Sequence, residues 1–145
     1  MSKSIVIVMD LWSSTSPSHV DNIVKKINSL NNIEAVFFTT YSKDGTEESR
    51  LRQAYHPSVR QRLNVYSEEL IPPTYDISRY KHDELDRQAE RDILLLEKMY
   101  DFDNIIYMGG TWKICVHLRS YGINNIKKVL PYKEIIVYPE CMYYE

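Results

Sequence analysis

Ser4-Ile5-Val6-Ile7-Val8-Met9-Asp10 decides how the rest of the chain is read. The run is apolar at successive positions instead of alternating, and it is dominated by β-branched side chains. A strand of that kind is buried on both faces, as in a parallel sheet. Asp10 ends it. A Ser/Thr/Pro loop follows over residues 13–18, and then Val20, Ile23, Val24, Ile27 and Leu30 recur at helical spacing up to the Asn31-Asn32 break. Ala35-Val36-Phe37-Phe38-Thr39-Thr40 is a second strand of the same buried type. Strand, helix and strand make a βαβ unit, whose crossover is right-handed almost without exception.

The pattern repeats further along. Asn104-Ile105-Ile106-Tyr107-Met108 predicts a third strand, broken by Gly109-Gly110-Thr111 and followed by residues 116–121, which suit a helix up to Gly122. Residues 134–138 predict a fourth, stopped by Pro139. The middle of the chain is less regular. Residues 46–55 suit a helix, Pro57 interrupts, Val65-Tyr66 suits a short extended piece, and Pro72-Pro73 forces an extended turn. Residues 76–81 suit a short strand or an ordered loop. Leu85, Ala89, Ile93, Leu96 and Met99 then mark an amphipathic helix. Alternating β and α predicts a three-layer α/β fold, an open and mostly parallel Rossmann-like sheet with helices on both faces, as one domain over residues 1–145. In such sheets ligands bind at the carboxyl ends of the strands. Asp10 and Cys115 each come just after one.

Bulk properties remove several classes of function. A net charge of −2, from 18 basic and 20 acidic residues, gives no basic footprint for nucleic acid and no polybasic membrane signal. No apolar stretch approaches the roughly 20 residues of a spanning helix. The opening Met1-Ser2-Lys3-Ser4-Ile5 lacks a signal-peptide core, and Cys115 and Cys141 are too few for a disulfide framework, so the expected compartment is the cytoplasm. The 12 tyrosines enrich amphipathic surface and favour a homo-oligomer. Asp10-Leu11-Trp12-Ser13-Ser14 matches neither the glycine fingerprint of a dinucleotide site nor a P-loop, and Trp12 stands where an Asp-x-Asp phosphatase needs its second acid.

Cys115 carries the most pointed chemistry. A strand, a glycine turn and a helix with cysteine in its opening turn put a thiol at a positive helix end, which favours the nucleophilic thiolate. A lone cysteine there is more often a small buried hydrophobe, so partners decide the matter.

Three segments supply them, and together they resemble the isochorismatase-like cysteine hydrolases, which include nicotinamidases and related amidases. Residues 5–10 are similar to the family's opening strand ending in its catalytic aspartate. Tyr75-Asp76-Ile77-Ser78-Arg79-Tyr80-Lys81 is similar to the segment presenting its lysine. Ile106-Tyr107-Met108-Gly109-Gly110-Thr111-Trp112-Lys113-Ile114-Cys115-Val116 is similar to the strand and turn carrying its nucleophile, and is the most specific of the three. The resemblance implies Cys115 as nucleophile, Asp10 as the base that takes the thiol proton and later activates water, and Lys81 as the cation that lowers the thiol pKa. It also implies a cis peptide between Gly110 and Thr111 that aims the amides of Thr111 and Cys115 at the oxyanion. Tyr41 is expected to line the substrate pocket, and Trp12 and Trp112, which flank the expected catalytic residues, read equally as walls of that pocket or as core beside it.

The chain departs from the family in places. Tyr41-Ser42-Lys43-Asp44 follows the second strand where nicotinamidases carry an Asp-x-His metal site, so the expectation is no metal and no cofactor, with no support for nicotinamide as substrate. The chain is short for the family, and the expected sheet lacks the last helix and edge strand. The function expected is cleavage of a small-molecule amide or related C–N bond through an acyl-enzyme on Cys115. The competing expectation is a catalytically silent domain of the same fold, used for binding or assembly. Cys141 is expected to be an inert thiol, and His19 and His117 to be surface or pocket-wall residues.

Overall fold

A computed structural model describes residues 2–9, 11, 15–39, 58–69, 83–111 and 121–143. In chain order the elements are β1 (Ser4–Met9), α1 (Pro17–Ser29), β2 (Ile33–Thr39), α2 (Ser58–Arg62), β3 (Ser67–Glu69), α3 (Asp83–Met99), β4 (Asn104–Thr111), α4 (Ile123–Val129) and β5 (Glu134–Tyr143). The strands form one sheet in the order β3-β2-β1-β4-β5, and every neighbouring pair is parallel. This is an open Rossmann-like α/β sheet, as the apolar runs predict. The chain works outward from β1 in one direction to β3, then returns to the other side of β1 at β4.

The two faces follow from the strand period of two. Ile5, Ile7 and Met9 of β1, with Ala35, Phe37, Ile105 and Tyr107 beside them, pack against Ile93 and Leu96 of α3 and Ile123 and Ile126 of α4. Val6 and Val8, with Val36, Phe38, Ile106 and Met108, pack against Val20, Ile23, Val24 and Ile27 of α1. Every residue of β1 is buried, so both of its faces are core. That explains why the run shows no alternation.

Several boundaries differ from the sequence expectation, each for a local reason. α1 starts at Pro17, ahead of Val20, because Ser16 caps it: the Ser16 hydroxyl accepts from the His19 amide at 3.3 Å, and Pro17 occupies a first-turn position where a missing N–H costs nothing. β3 starts after Val65-Tyr66, where the Val36 amide already donates to the Tyr66 carbonyl at 2.9 Å. β4 does not break at Gly109 but runs on to Thr111. β5 does not stop at Pro139. Between the Tyr107↔Val137 and Gly109↔Met142 pairings, β5 advances five residues while β4 advances two, so Pro139 sits in a bulge of a strand with one sheet neighbour and interrupts no ladder. The bulge is fastened to α1, since Lys26 pairs with Glu140 at 2.7 Å and lies over the Tyr138 ring at 4.5 Å. α4, with Ile123 and Ile126 as its buried residues, begins after Gly122, and the helix expected over residues 116–121 lies outside the described residues.

Candidate functional site

The strand order reverses between β1 and β4, the position at which open α/β sheets carry a crevice. Connections from these adjacent strands leave toward opposite faces, α1 to one and α4 to the other, and ligands of open α/β sheets bind where the connections part. The crevice opens at the carboxyl edge, where Met9 of β1 lies level with Thr39 of β2 on one side and Gly109 of β4 on the other.

Among the expected site residues, the structure describes Gly110, together with the backbone of Thr111; both belong to the last turn of the β4 ladder, where Thr111 pairs with Tyr143. The cis peptide implied between them is a correction. No cis bond occurs among the described residues, and the chain stays extended through Gly110 and Thr111 because β5 continues to pair with it. Asp10, Trp12, Tyr41, Lys81, Trp112 and Cys115 lie outside the described residues.

Chain connectivity still fixes where those segments leave the described structure. Asp10 follows Met9 at the carboxyl end of β1, and residues 112–120 follow Thr111 at the carboxyl end of β4. α3 ends at Met99 and feeds the amino end of β4 through a short connection, in which the Asp103 and Asn104 amides both donate to the Lys3 carbonyl beside β1 (2.7 and 3.2 Å). A helix of 17 residues is about 25 Å long, so its first residue, Asp83, lies back at the carboxyl edge. Lys81 precedes Asp83 by two positions.

The described part of this edge contains His19, expected from the sequence as a surface or pocket-wall residue and found buried. His19, in the first turn of α1, is 7% exposed and hydrogen-bonds the backbone of Gly109. Burial holds its imidazole below the ordinary histidine pKa, against the Gly109 carbonyl, which favours the charged form. The sequence signal was available: His19, Ile23 and Ile27 recur every fourth residue on the face of α1 that is buried. Thr15, just ahead of the helix, is 9% exposed and its hydroxyl has no hydrogen-bond partner.

Gly109 is the other unusual position. Its φ is +100°, where residues with a side chain are strained, and a Cβ there would sit 3.0 Å from the Met9 nitrogen and closer still to the Met9 carbonyl oxygen. Only glycine lets β4 approach β1 this closely at the crevice. The ladder to β5 is irregular on both sides of the same residue. Farther from the crevice, Tyr107 is fully buried and donates to the Tyr121 carbonyl at 2.6 Å, and the Tyr121 hydroxyl donates to Asp92 of α3 at 2.8 Å. These bonds pin the chain where residues 112–120 rejoin the core.

Cys141 is fully buried beneath α1, with its thiol pushed up to about 11, chiefly by burial. Burial disfavours its thiolate at neutral pH, in line with the unreactive thiol expected from the sequence.

No protein-family model and no curated protein matches the chain. Among solved structures, the chain is similar to the C-terminal domain of a hydrogenase from Pyrococcus furiosus, with a TM-score of 0.50 and 10% identity over 94% of this chain and 91% of that one. At that identity the likeness speaks for the shared α/β fold alone. No helix among the described residues is long and apolar enough to cross a membrane.

Proposed function

We propose that the protein is a metal-free cysteine hydrolase of the isochorismatase-like type, acting on a small amide or related C–N bond. One observation carries this reading: β1 and β4 end side by side at the carboxyl edge, where Asp10 and Cys115 follow in the chain, and α3, which follows Lys81 and precedes β4, is long enough to reach back toward that edge. Asp10 is one residue past β1 and Cys115 four residues past β4, a span of at most about 14 Å even when fully extended.

The chemistry balances without an added reagent. Asp10 takes the Cys115 proton, and the Lys81 ammonium favours the resulting thiolate. Sulfur attacks the amide carbonyl carbon, and the Cys115 amide donates to the oxyanion. The C–N bond breaks as Asp10 returns its proton to the leaving nitrogen. Water, deprotonated by the same carboxylate, then attacks the thioester. The acid leaves and the thiol is restored.

The alternative is a silent domain serving binding or assembly. It is favoured by the continuation of β4 through Gly110 and Thr111, where the resemblance implies a turn. Iodoacetamide discriminates between the two. An activated Cys115 reacts at mildly acidic pH far faster than the buried Cys141, and Cys115→Ala or Asp10→Ala removes amide turnover from a folded protein. Equally slow alkylation of both thiols, or turnover surviving in both variants, would sink the hydrolase.

A further inference from the structure

We propose that the free side of β5 is a docking surface for a second copy of this chain, with β5 pairing antiparallel to β5 across a two-fold axis at Ile136. The sheet has two open sides, and they are built differently. β3, on one side, is three residues long and carries Glu68 and Glu69; brevity and charge of this kind ordinarily keep a strand edge unpaired. β5, on the other side, begins with Glu134-Ile135-Ile136-Val137-Tyr138, in which Glu134 is the single charge, and β4 is its one neighbour among the described strands. Its side chains are half-buried on both faces. Ile135 and Val137 lie against the α3 and α4 layer, and Ile136 and Tyr138 against the α1 layer. An edge of this composition is a template for another strand. Pro139 and the bulge come after it, so they limit the length of pairing without blocking its start.

Backbone direction selects the register. In an extended strand the N–H and C=O of one residue point to the same side, and those of the next residue point to the other. The Glu134 amide donates to the Asp103 carbonyl at 3.2 Å, toward β4. From Glu134↔Asn104 to Tyr107↔Val137 the pairing is unshifted, so Ile136 also points inward, while Ile135 and Val137 turn their N–H and C=O to the open side. An axis at Ile136 sets Ile135 of one copy opposite Val137 of the other, and each such pair exchanges both N–H to C=O bonds. The neighbouring registers are poorer. An axis at Ile135 needs the Lys133 amide, which already donates to the Leu130 carbonyl at 3.1 Å. An axis at Val137 sets Ile135 opposite Pro139, which has no N–H. With the axis at Ile136, Glu134 faces Tyr138 of the second copy and the pairs between them are aliphatic, so no like charges meet. A head-to-tail contact of β5 with β3 would grow into an open filament, and the short acidic β3 disfavours it, whereas the β5 pair closes on itself. This self-complementarity points to the chain itself as the occupant. None of these groups belongs to the carboxyl-edge chemistry proposed above.

The test uses the full chain. Sedimentation equilibrium over a dilution series up to about 100 µM should show a monomer–dimer equilibrium that approaches twice the 17.2 kDa chain mass. Ile136→Lys brings two ammonium groups together at the axis, and it should weaken the dimer by about tenfold or more while far-UV circular dichroism stays that of wild type. Ile136→Cys reads the register. Directly opposite residues in a non-hydrogen-bonded antiparallel pair have Cα atoms about 4.5 Å apart, within disulfide reach. Mild oxidation with diamide should therefore link two copies of this variant through the introduced thiols, located by mass spectrometry. Wild type should not link there, and neither should Ile135→Cys, whose thiols lie on either side of the axis and out of reach. A wild type that stays monomeric throughout overturns the proposal. So does a dimer of unchanged strength in folded Ile136→Lys, or assembly that continues beyond the dimer. A dimer without the link in Ile136→Cys, or with an equal link in Ile135→Cys, also overturns it, and this readout stands even where Ile136→Lys does not fold.

Discussion

The two edges of the sheet are built differently. At the amino edge the chain is stitched with ordinary bonds. The Lys3 amide donates to Asp103 at 3.1 Å, the Lys3 carbonyl accepts from the Asp103 and Asn104 amides, the Ser4 amide donates to Asn32, and the Glu134 amide donates to Asp103. Lys133 donates to the Phe102 carbonyl at 2.6 Å and lies over the Phe102 ring. Backbone groups there are paired with near neighbours and no unusual φ is needed apart from Asn32, a residue type that tolerates one. The carboxyl edge has Gly109 at positive φ, a bulged β5, a buried histidine and a threonine hydroxyl without a partner. Strained backbone and partly satisfied polar groups persist only where surrounding structure enforces them, and they gather at functional sites. The contrast separates an edge built for stability from an edge that carries the strained and unsatisfied groups.

The sharpest way to break that contrast is Gly109→Ala. The new side chain meets backbone atoms of Met9, which cannot rotate away, and sits at a φ unfavourable for any L residue. Strain of this kind costs about 1–3 kcal/mol before the clash is counted, so a loss of about 3 kcal/mol or more in chemical denaturation is expected. A loss below about 1 kcal/mol would mean that β1 and β4 separate freely at this edge, and the crevice would not be a rigid site.

Tyr107→Phe probes how the segment after β4 is anchored. The hydroxyl bonds the Tyr121 carbonyl in a fully buried position, and its removal leaves that carbonyl without its donor. About 1–2 kcal/mol of stability should go, with the cavity change too small to add much. The Tyr121 link to Asp92 remains in this variant, so Tyr107→Phe with Tyr121→Phe should lose less than the sum of the two single changes. Strict additivity would show that the two bonds act independently and that no common anchor exists.

The pattern that defines the sheet was legible because it depends on burial alone. Residues 4–9 could be read to the residue, since a doubly buried strand leaves an unbroken apolar run. The boundaries that escaped are those decided by something other than hydrophobicity. Pro139 is an ordinary strand stop, yet a bulge on an edge strand absorbs it. Gly109-Gly110 looks like a turn, yet glycine there permits close approach of two strands. Ser67–Glu69 has no strand composition and is a strand only because β2 offers it an edge. α4 is short and contributes Ile123 and Ile126 to the core, too weak a period to stand out. The candidate site is read from types and order of residues alone, and apart from Gly110 and Thr111 those residues lie outside the described ones. His19 was legible as an inward position of α1, but its neighbour was not, because Gly109 is 90 positions away in sequence.

Acidification separates the edges again, more gently. The folded-state pKa of His19 lies below the unfolded value of 6.5, so between the two the unfolded chain binds more protons. Stability contributed by neutral His19 is therefore complete above about pH 6.5 and is lost as pH falls through the lowered folded value. The wild type should lose more stability from pH 7 to pH 5 than His19→Asn does, measured by denaturant midpoint at each pH. Parallel curves for the two proteins would show that His19 is not buried as a neutral group.

The smallest effect is expected at the amino edge. The Lys3 side chain is close to Asp101 at 3.1 Å and Glu34 at 4.0 Å, but it is 45% exposed and Asp101 is 82% exposed. Its ammonium pKa is raised, chiefly through the Asp101 hydrogen bond. Water and salt screen such pairs, and holding two long side chains in one geometry offsets the attraction. The bonds that organise this edge are made by the Lys3 backbone, which a substitution leaves in place. Lys3→Met should accordingly leave the melting temperature within about 2 °C of wild type and insensitive to added salt. A larger, salt-dependent fall would mean that the amino edge depends on charge as the carboxyl edge depends on backbone strain, and the distinction between a stabilising edge and a shaped one would not hold.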